Sequence, residues 1–405
     1  MGYLQTAFKG ISWMAGLRGI TRGLALVKIA VLARLLLPAQ FGIYGIAALV
    51  LGLLESLTET GINVFLIQQK DKIDEYINSS WVVSVLRGFL IALIIFLSIP
   101  LITSFFDTES ARSILLLVCL VPIIRGFINP AVVKFQKNLQ FNKQFYYDGF
   151  LFFVDAAVAI FLGLITRSEN SLVWGMIVAA GVEVILSFII FSPKPKFIFE
   201  KEKTLRVINR GKWITGAGIF SYLFQHLDDI FVGRLLGSAS LGIYQQAYKI
   251  STLPVSEVGE VFNKVTFPIY STIQKDKKRL KQAFLKTLLV IVALVIPFGL
   301  IIFYYPAQII SLVLGANWLS AVAVLQILAI FGVVKAIFNS FYSLFLGIEK
   351  QEVVTLTTLV ATIAMALVIV PFINIFGILG AGYAAIISTL ISIPVLLFFF
   401  WKYFR

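Results

Sequence analysis

The chain has 405 residues, of which 59% are hydrophobic and 13% charged, with a formal net charge of +14. Soluble domains are about 45–50% apolar and about 25% charged, so this composition excludes a soluble globular protein. The single cysteine, Cys119, and the single histidine, His226, exclude an internal disulfide and leave little room for a metal site or histidine-based acid–base chemistry, and no cofactor is predicted.

Long apolar runs recur from one end of the chain to the other. A helix needs about 20 such residues to cross a hydrocarbon core about 30 Å thick, whereas a transmembrane barrel would show alternating segments of about ten residues. The pattern therefore predicts an all-α integral membrane protein. We expect the first run to remain in the mature protein, because it is long and has no cleavage pattern. The predicted spans are 11–33, 41–67, 80–104, 113–133, 146–166, 171–192, 212–233, 242–270, 284–305, 318–346, 352–374 and 378–401.

Lysine and arginine in the predicted loops alternate between a basic side and a side poor in basic residues. The basic side includes residues 194–212 and the cluster from Lys275 to Lys286, while the other side has only Arg34, Arg112, Arg167 and Arg234. Since cytoplasmic loops collect the basic residues, both termini are predicted to be cytoplasmic in a multi-pass protein of the cell membrane. The positive charge therefore indicates contact with anionic lipid headgroups, and no nucleic-acid partner is predicted.

A repeat separates the chain into two related halves. RLLLPAQFGIY, from Arg34 to Tyr44, aligns with RLLGSASLGIY, from Arg234 to Tyr244, and seven of the eleven positions are identical. Six predicted spans separate the copies, so parallel six-helix halves are predicted at 1–193 and 212–405, with a basic cytoplasmic linker at 194–211. Such halves allow alternating access by rocking about a site between them. The alternative is simple duplication in a structural membrane protein.

Basic residues inside the predicted spans indicate an anionic cargo. A charge at the centre of a span costs about 2.5–3.5 kcal/mol on insertion scales, so each one is a functional candidate. Arg18 and Arg22 lie one turn apart on one face of the first span, and guanidinium groups bind phosphate or carboxylate well. The predicted substrate-binding residues of a cationic cavity are Arg18, Arg22, Lys28 and Lys249. Arg125 belongs to the same basic set, whereas Arg87, Asp148, Lys264 and Lys335 fit span ends whose side chains reach lipid headgroups.

Acidic residues inside the spans are candidates for ion coupling. Intramembrane carboxylates commonly serve protons or Na⁺, so a coupling H⁺ or Na⁺ is predicted at one or more of Asp155, Glu183, Asp228 and Asp229. Glu55 and Glu59 lie one turn apart and form predicted cavity ion pairs with Arg18 and Arg22, in an arrangement that is equally consistent with a purely structural role. His226 fits an ordinary hydrogen-bonded histidine better than a relay.

Several stretches together resemble a known family. They are ARLLLPAQFGIY with Gly52-Leu53-Leu54 and Thr60-Gly61, KFQKNLQFNK from Lys134, RLLGSASLGIYQQAYKISTLPVSEVG with Phe267-Pro268, LGANW from Leu314, and GILGAGYAAIIST from Gly377. In order and spacing they resemble the Wzx-type polysaccharide repeat-unit flippases of the multidrug/oligosaccharidyl-lipid/polysaccharide exporter superfamily. The resemblance implies a V-shaped, MATE-like bundle of two halves and a cation-lined cavity. It also implies transfer of an undecaprenyl-pyrophosphate-linked oligosaccharide to the outer leaflet.

Other classes of function remain open on the sequence. A cation or drug exporter of the same superfamily would favour an acidic or aromatic cavity, which the basic first span argues against. A polymerase or ligase of polysaccharide assembly would need a sizeable outer loop, and none is predicted, so no enzyme activity is expected. A scaffold without transport is the third alternative. A polysaccharide polymerase is a candidate partner of a flippase.

Overall fold

The computed structural model describes residues 3–58, 62–68, 73–198 and 200–405. It does not describe the side chains of residues 3–12, 14, 15, 64, 68, 201–221, 224, 253–261, 263–265, 267 and 268. Within the described ranges the regular structure is helical, with no strand. The helices are α1 (Tyr3–Leu35), α2 (Pro38–Leu57), α3 (Ile62–Gln68), α4 (Asp74–Phe106), α5 (Ala111–Val118), α6 (Leu120–Gly126), α7 (Lys134–Lys137), α8 (Phe141–Thr166), α9 (Asn170–Ile190), α10 (Lys201–Ile273), α11 (Lys277–Tyr304), α12 (Pro306–Val313), α13 (Val322–Gly347), α14 (Gln351–Phe376) and α15 (Ile378–Phe404), with 3₁₀ turns at Pro130–Val133 and Ala316–Ala321.

The predicted all-helical membrane architecture is confirmed. In the described part of the chain, eight helices are long and apolar enough to cross a bilayer, and a bent pair makes nine if it counts as one span. The eight are α2, α4, α8, α9, α11, α13 with its preceding 3₁₀ turn, α14 and α15. The count of twelve spans stays a prediction.

The predicted single span at 113–133 is not one straight helix. The chain forms α5 and α6 there, and a bend of 69° separates Ala111–Gly126 from Pro130–Lys137. Pro122 has no N–H to donate to the carbonyl one turn earlier, which interrupts the helix near Cys119. At the bend, the Asn129 side chain accepts a hydrogen bond from the Ala131 N–H at 2.9 Å and so caps the turn that Pro130 begins.

The repeated sequence marks a break in helical backbone at the same register in both copies. Leu37 is extended (φ −81°, ψ 157°) between α1 and α2, and Gly237 interrupts α10 with φ 79° and ψ 177°. The two positions are 200 residues apart, which is the offset of the repeat. A positive φ favours glycine, which explains why the second copy has Gly237 where the first has Leu37.

Two compact units divide the described chain, Met1–Leu223 and Phe224–Arg405. In the first, buried residues of α2, α4, α5 and α9 form one apolar cluster, and a second cluster joins α3, α4 and α8. In the second, an aromatic cluster that includes Tyr270, Phe284 and Phe400 joins the end of α10 to α11, α13 and α15. The division into halves at 1–193, 194–211 and 212–405 stays a prediction.

Candidate functional site

A cavity of about 540 Å³ lies inside the first unit, among helices that are otherwise apolar. Several helices contribute polar or charged side chains to its wall, among them Glu55 from α2, Asn63 from α3, Arg87 from α4, Arg125 from α6, Asp148 from α8 and Glu183 from α9. Asn129, Gln136 and Gln144 add amide groups. The volume falls in the range of about 300–1,000 Å³ that is usual for ligand pockets.

One residue, Glu55, contacts both arginines of the cavity. Arg87 donates from Nη2 to the Glu55 carbonyl oxygen at 2.7 Å and from Nε to Thr58 Oγ1 at 3.1 Å. Arg125 donates from Nη1 to the Glu55 carboxylate at 3.1 Å. The side chains of Arg125 and Glu55 are 42% and 34% exposed, so this ion pair lies open to the cavity and is weakened by any water there.

Two glycines bring the arginines together. Each arginine is followed by a glycine, and α4 and α6 cross with their backbones in contact at these positions. A Cβ atom on Gly88 would lie 2.3 Å from the Pro122 carbonyl oxygen, and one on Gly126 would lie 2.9 Å from the Ser84 carbonyl oxygen. The close crossing places Arg87 and Arg125 on the same cavity wall.

Asp148 and Glu183 form an acidic part of the wall, with Gln144 beside Asp148. Tyr147, next to Asp148 on α8, is buried and donates its hydroxyl to the Glu183 backbone carbonyl at 3.3 Å, which ties α8 to α9. Among the described residues, the cavity therefore presents two guanidinium groups, three carboxylates and several amides. Guanidinium groups suit phosphate oxygens, and amides and carboxylates suit sugar hydroxyls.

The residues that the sequence nominated in the first span lie apart from this cavity wall. Arg18 is half-buried and Arg22 is exposed, and each interacts with another residue. Lys28 is paired with Asp155 of α8, with Nζ 2.7 Å from the carboxylate and side chains that are 13% and 21% exposed. Gly175 of α9 makes room for this pair, since a Cβ there would lie 2.8 Å from Asp155 Oδ1. One predicted substrate residue and one predicted coupling residue thus contact each other.

Two nominated residues of the second unit, Asp228 and Asp229, belong to a polar cluster. The buried Asp228 accepts a hydrogen bond from the Tyr244 hydroxyl at 2.8 Å, and His226 Nδ1 lies 3.1 Å from the Asp229 carboxylate. Lys249 is exposed and has a partner. Glu59 lies outside the described residues. The roles of all these residues stay predictions.

Sequence reasoning did not place Arg87, Arg125 and Asp148 at a site, although Glu183 and Glu55 were nominated. The sequence assigned Arg87 and Asp148 to span ends, whereas the structure places both in the cavity wall. The Arg-Gly dipeptide at 87–88 and 125–126 allows a close helix crossing beside each charge, but it was not a selective signal, because it also occurs at 18–19, 22–23 and 210–211.

Three comparisons relate the chain to known proteins. It is 24% identical over 364 residues to the lipopolysaccharide biosynthesis protein WzxC of Escherichia coli (strain K12), covering 87% of this chain and 72% of that protein. The lipid II flippase MurJ in an inward closed conformation superposes with a TM-score of 0.79 at 16% identity, covering 97% of this chain and 89% of MurJ. An inward-facing multidrug resistance MATE family transporter of the MOP superfamily superposes with a TM-score of 0.71 at 13% identity, covering 94% of each chain.

The two solved structures share the fold with this chain, which confirms the MATE-like class of helical membrane protein that the sequence predicts. The profile of the family described as "Polysaccharide biosynthesis protein" matches residues 31–323, more than half of the chain, and the chain therefore belongs to this family.

Proposed function

We propose that the protein is a flippase for surface polysaccharide biosynthesis. It moves an undecaprenyl-pyrophosphate-linked oligosaccharide repeat unit from the cytoplasmic to the outer leaflet by alternating access, without catalysing a covalent step. The observation that carries the proposal is the cavity with Arg87 and Arg125 among spanning helices, in a chain that belongs to a polysaccharide biosynthesis family. The protein similar to it in E. coli is named for lipopolysaccharide biosynthesis, which agrees with this cargo.

The physical need for such a cavity follows from the headgroup. A pyrophosphate with attached sugars loses its hydration if it enters hydrocarbon, and burying unpaired polar or charged groups is costly. A wall with two guanidinium groups replaces water at the phosphates, because charge-assisted bonds from arginine to phosphate are strong and often bidentate. Asn63 and Gln136 offer amide groups to the sugar hydroxyls. The polyprenyl tail stays in the lipid.

Further roles complete the proposal. Arg18, Arg22, Lys28 and Lys249 are proposed as additional substrate contacts along the path of the headgroup. Asp155, Glu183, Asp228 and Asp229 are proposed sites for a coupling H⁺ or Na⁺. The protein is proposed to lie in the cell membrane with both termini cytoplasmic, beside anionic lipids and a polysaccharide polymerase.

A cation or drug exporter is the second candidate, because the described cavity wall has three carboxylates against two arginines. Glu55 and Arg125 pair with each other, so the rest of the described wall offers Arg87 against Asp148 and Glu183. The family match favours the flippase. A membrane enzyme or a scaffold of polysaccharide assembly is the further alternative.

The test uses cells that lack the protein. It measures which leaflet of the membrane holds the lipid-linked oligosaccharide and whether surface polysaccharide is made. We expect accumulation on the cytoplasmic leaflet, relieved by the wild type and by Arg112→Ala, an arginine at an exposed position outside the cavity. The double variant Arg87→Ala/Arg125→Ala should fail to relieve it, and Arg18→Ala/Arg22→Ala tests the first span in the same way. Single repeat units that reach the outer leaflet normally without the protein would overturn the flippase proposal in favour of an assembly enzyme or scaffold.

A further inference from the structure

The second unit holds a lysine inside an aromatic and acidic setting. Lys335 of α13 is half-buried, and its Nζ donates to the Tyr248 hydroxyl at 2.6 Å. The same ammonium lies 5.2 Å from the ring centroid of Tyr248 and 5.5 Å from that of Phe331, which is within the range of cation–π attraction. These contacts hold the ammonium at one place.

The carboxylate of Asp228 lies in the same polar group. Only 7% of Asp228 is exposed. Its Oδ2 accepts from the Tyr244 hydroxyl at 2.8 Å, and its Oδ1 accepts from the Asp229 N–H at 3.0 Å. The rings of Tyr244 and Tyr248 have centroids 6.2 Å apart, so the two tyrosines connect the carboxylate side of the group to the lysine side.

The group contains one lysine and two carboxylates. Lys335 attracts Asp228 electrostatically across the two tyrosines, without a direct ion pair between them. Asp229, the other carboxylate near Asp228, lies 3.1 Å from His226, whose side chain is 37% exposed. In the described part of the unit, the titratable groups that face Asp228 are thus Asp229, Tyr244 and Tyr248 from α10 and Lys335 from α13.

A buried carboxylate needs a positive charge nearby, or it must take up a proton. In a transporter, the positive charge is either an ion that leaves during the cycle or a side chain that cannot leave. Lys335 is of the second kind, and its hydrogen bond to Tyr248 and its aromatic contacts hold it in the same polar group as the carboxylate. With this charge in place, a metal cation at Asp228 would add repulsion from the ammonium.

We propose that Lys335 is the resident cation of the second unit: it compensates Asp228 permanently, and Na⁺ binds at this carboxylate only when Lys335 is removed. If Asp228 takes part in coupling, which rests on the proposed function, its exchangeable cation is therefore a proton. The claim about Na⁺ concerns binding, so it is measured without transport, and its failure is distinguishable from failure of the flippase proposal.

The test measures thermal stability of the purified full chain in detergent, as the fraction that remains monodisperse after heating. Each variant is heated with about 100 mM Na⁺ or with the same concentration of N-methyl-D-glucamine, because an ion that binds only the folded state raises the midpoint. We expect the wild type and Lys335→Arg to show equal midpoints in the two buffers. In N-methyl-D-glucamine, the midpoint of Lys335→Met should lie several degrees below that of the wild type. Na⁺ should restore at least half of this difference.

The double variant Asp228→Asn/Lys335→Met removes both charges, and its midpoint should not respond to Na⁺. If Lys335→Met does not fold, Lys335→Gln replaces it, with the same expected response. A wild-type midpoint that rises with Na⁺ and loses this response in Asp228→Asn would overturn the proposal. Equal midpoints of Lys335→Met, or of Lys335→Gln in its place, with and without Na⁺ would also overturn the proposal.

Discussion

Arg125 donates to the carboxylate of Glu55 across 3.1 Å, and this contact occupies one N–H group of a guanidinium that also borders the cavity. Arg87 contacts the same residue through its backbone carbonyl, so Glu55 positions both arginines with different atoms. The two contacts have different consequences, because a substitution of the side chain releases Arg125 and leaves the Arg87 bond to the carbonyl in place.

Glu55→Gln should raise the affinity of the purified protein for inorganic pyrophosphate. The substitution removes the negative charge that competes with phosphate for Arg125, and one charge-assisted hydrogen bond contributes about 1.5–3 kcal/mol. We expect an increase of about tenfold, measured by calorimetric titration, which corresponds to about 1.4 kcal/mol. Glu349→Gln, an exposed acid after α13, is the matched control. Unchanged affinity in Glu55→Gln would show that Arg125 does not contact pyrophosphate.

Gly88→Ala should destabilise the first unit by about 1–3 kcal/mol, the usual cost of overpacking. Its Cβ would lie 2.3 Å from the backbone oxygen of Pro122, and a backbone atom cannot rotate away. Gly181→Ala is the matched control, because a Cβ at this helical glycine meets no described atom within 4 Å. The control should be neutral or stabilising by up to about 1 kcal/mol. Thermal midpoints in detergent compare the two, and equal midpoints would rule out the close crossing of α4 and α6.

Lys28→Met should destabilise the protein by about 3 kcal/mol, because it leaves the Asp155 carboxylate without its cation in a largely buried place. The double variant Lys28→Met/Asp155→Leu removes both charges and should recover most of this loss in the same heating assay.

Surface polysaccharide in the Lys28/Asp155 double variant then separates two roles. Normal polysaccharide with recovered stability means that the pair is structural. Absent polysaccharide with recovered stability means that Lys28 or Asp155 acts in substrate binding or coupling.

Asp148→Asn should increase the transfer of repeat units that contain a uronic acid relative to neutral ones. Asp148 and Glu183 both face the cavity, and an acidic sugar placed against them is repelled. We expect the ratio of acidic to neutral cargo to rise by about tenfold, equal to about 1.4 kcal/mol. Surface polysaccharide in flippase-deficient strains with acidic or neutral repeat units gives this ratio. Asp148→Glu keeps the charge and should leave the ratio unchanged, and a ratio that does not move in Asp148→Asn refutes the prediction.

The helices could be predicted from the sequence, because a long apolar run in lipid must satisfy its backbone hydrogen bonds internally, which a helix does. The break at Leu37 and Gly237 followed as well, since the repeat has its Leu-Pro and Gly-Ser there. The cavity could not be predicted from the sequence. Arg87 and Arg125 line the same cavity because α4 and α6 cross at Gly88 and Gly126, and a helix crossing is a tertiary property.

The sequence also could not predict which charged residues pair with each other. Depth and residue type identified Lys28 and Asp155 as intramembrane charges, yet their pairing joins positions 127 residues apart. The same holds for Lys335 and Tyr248, which are 87 residues apart. A helical wheel shows which residues share a face of one helix, but it does not show which helix lies opposite.

The pairing of Lys28 with Asp155 and of Lys335 with Tyr248 and Asp228 keeps each charge within its own unit. This matters for how the chain is made. Synthesis proceeds from the amino terminus, and earlier parts of a chain fold before later parts exist. Lys28 stays without its carboxylate only until α8 has entered the bilayer, long before the second unit is translated. The Lys28–Asp155 pair can therefore form in the membrane before the second unit is made.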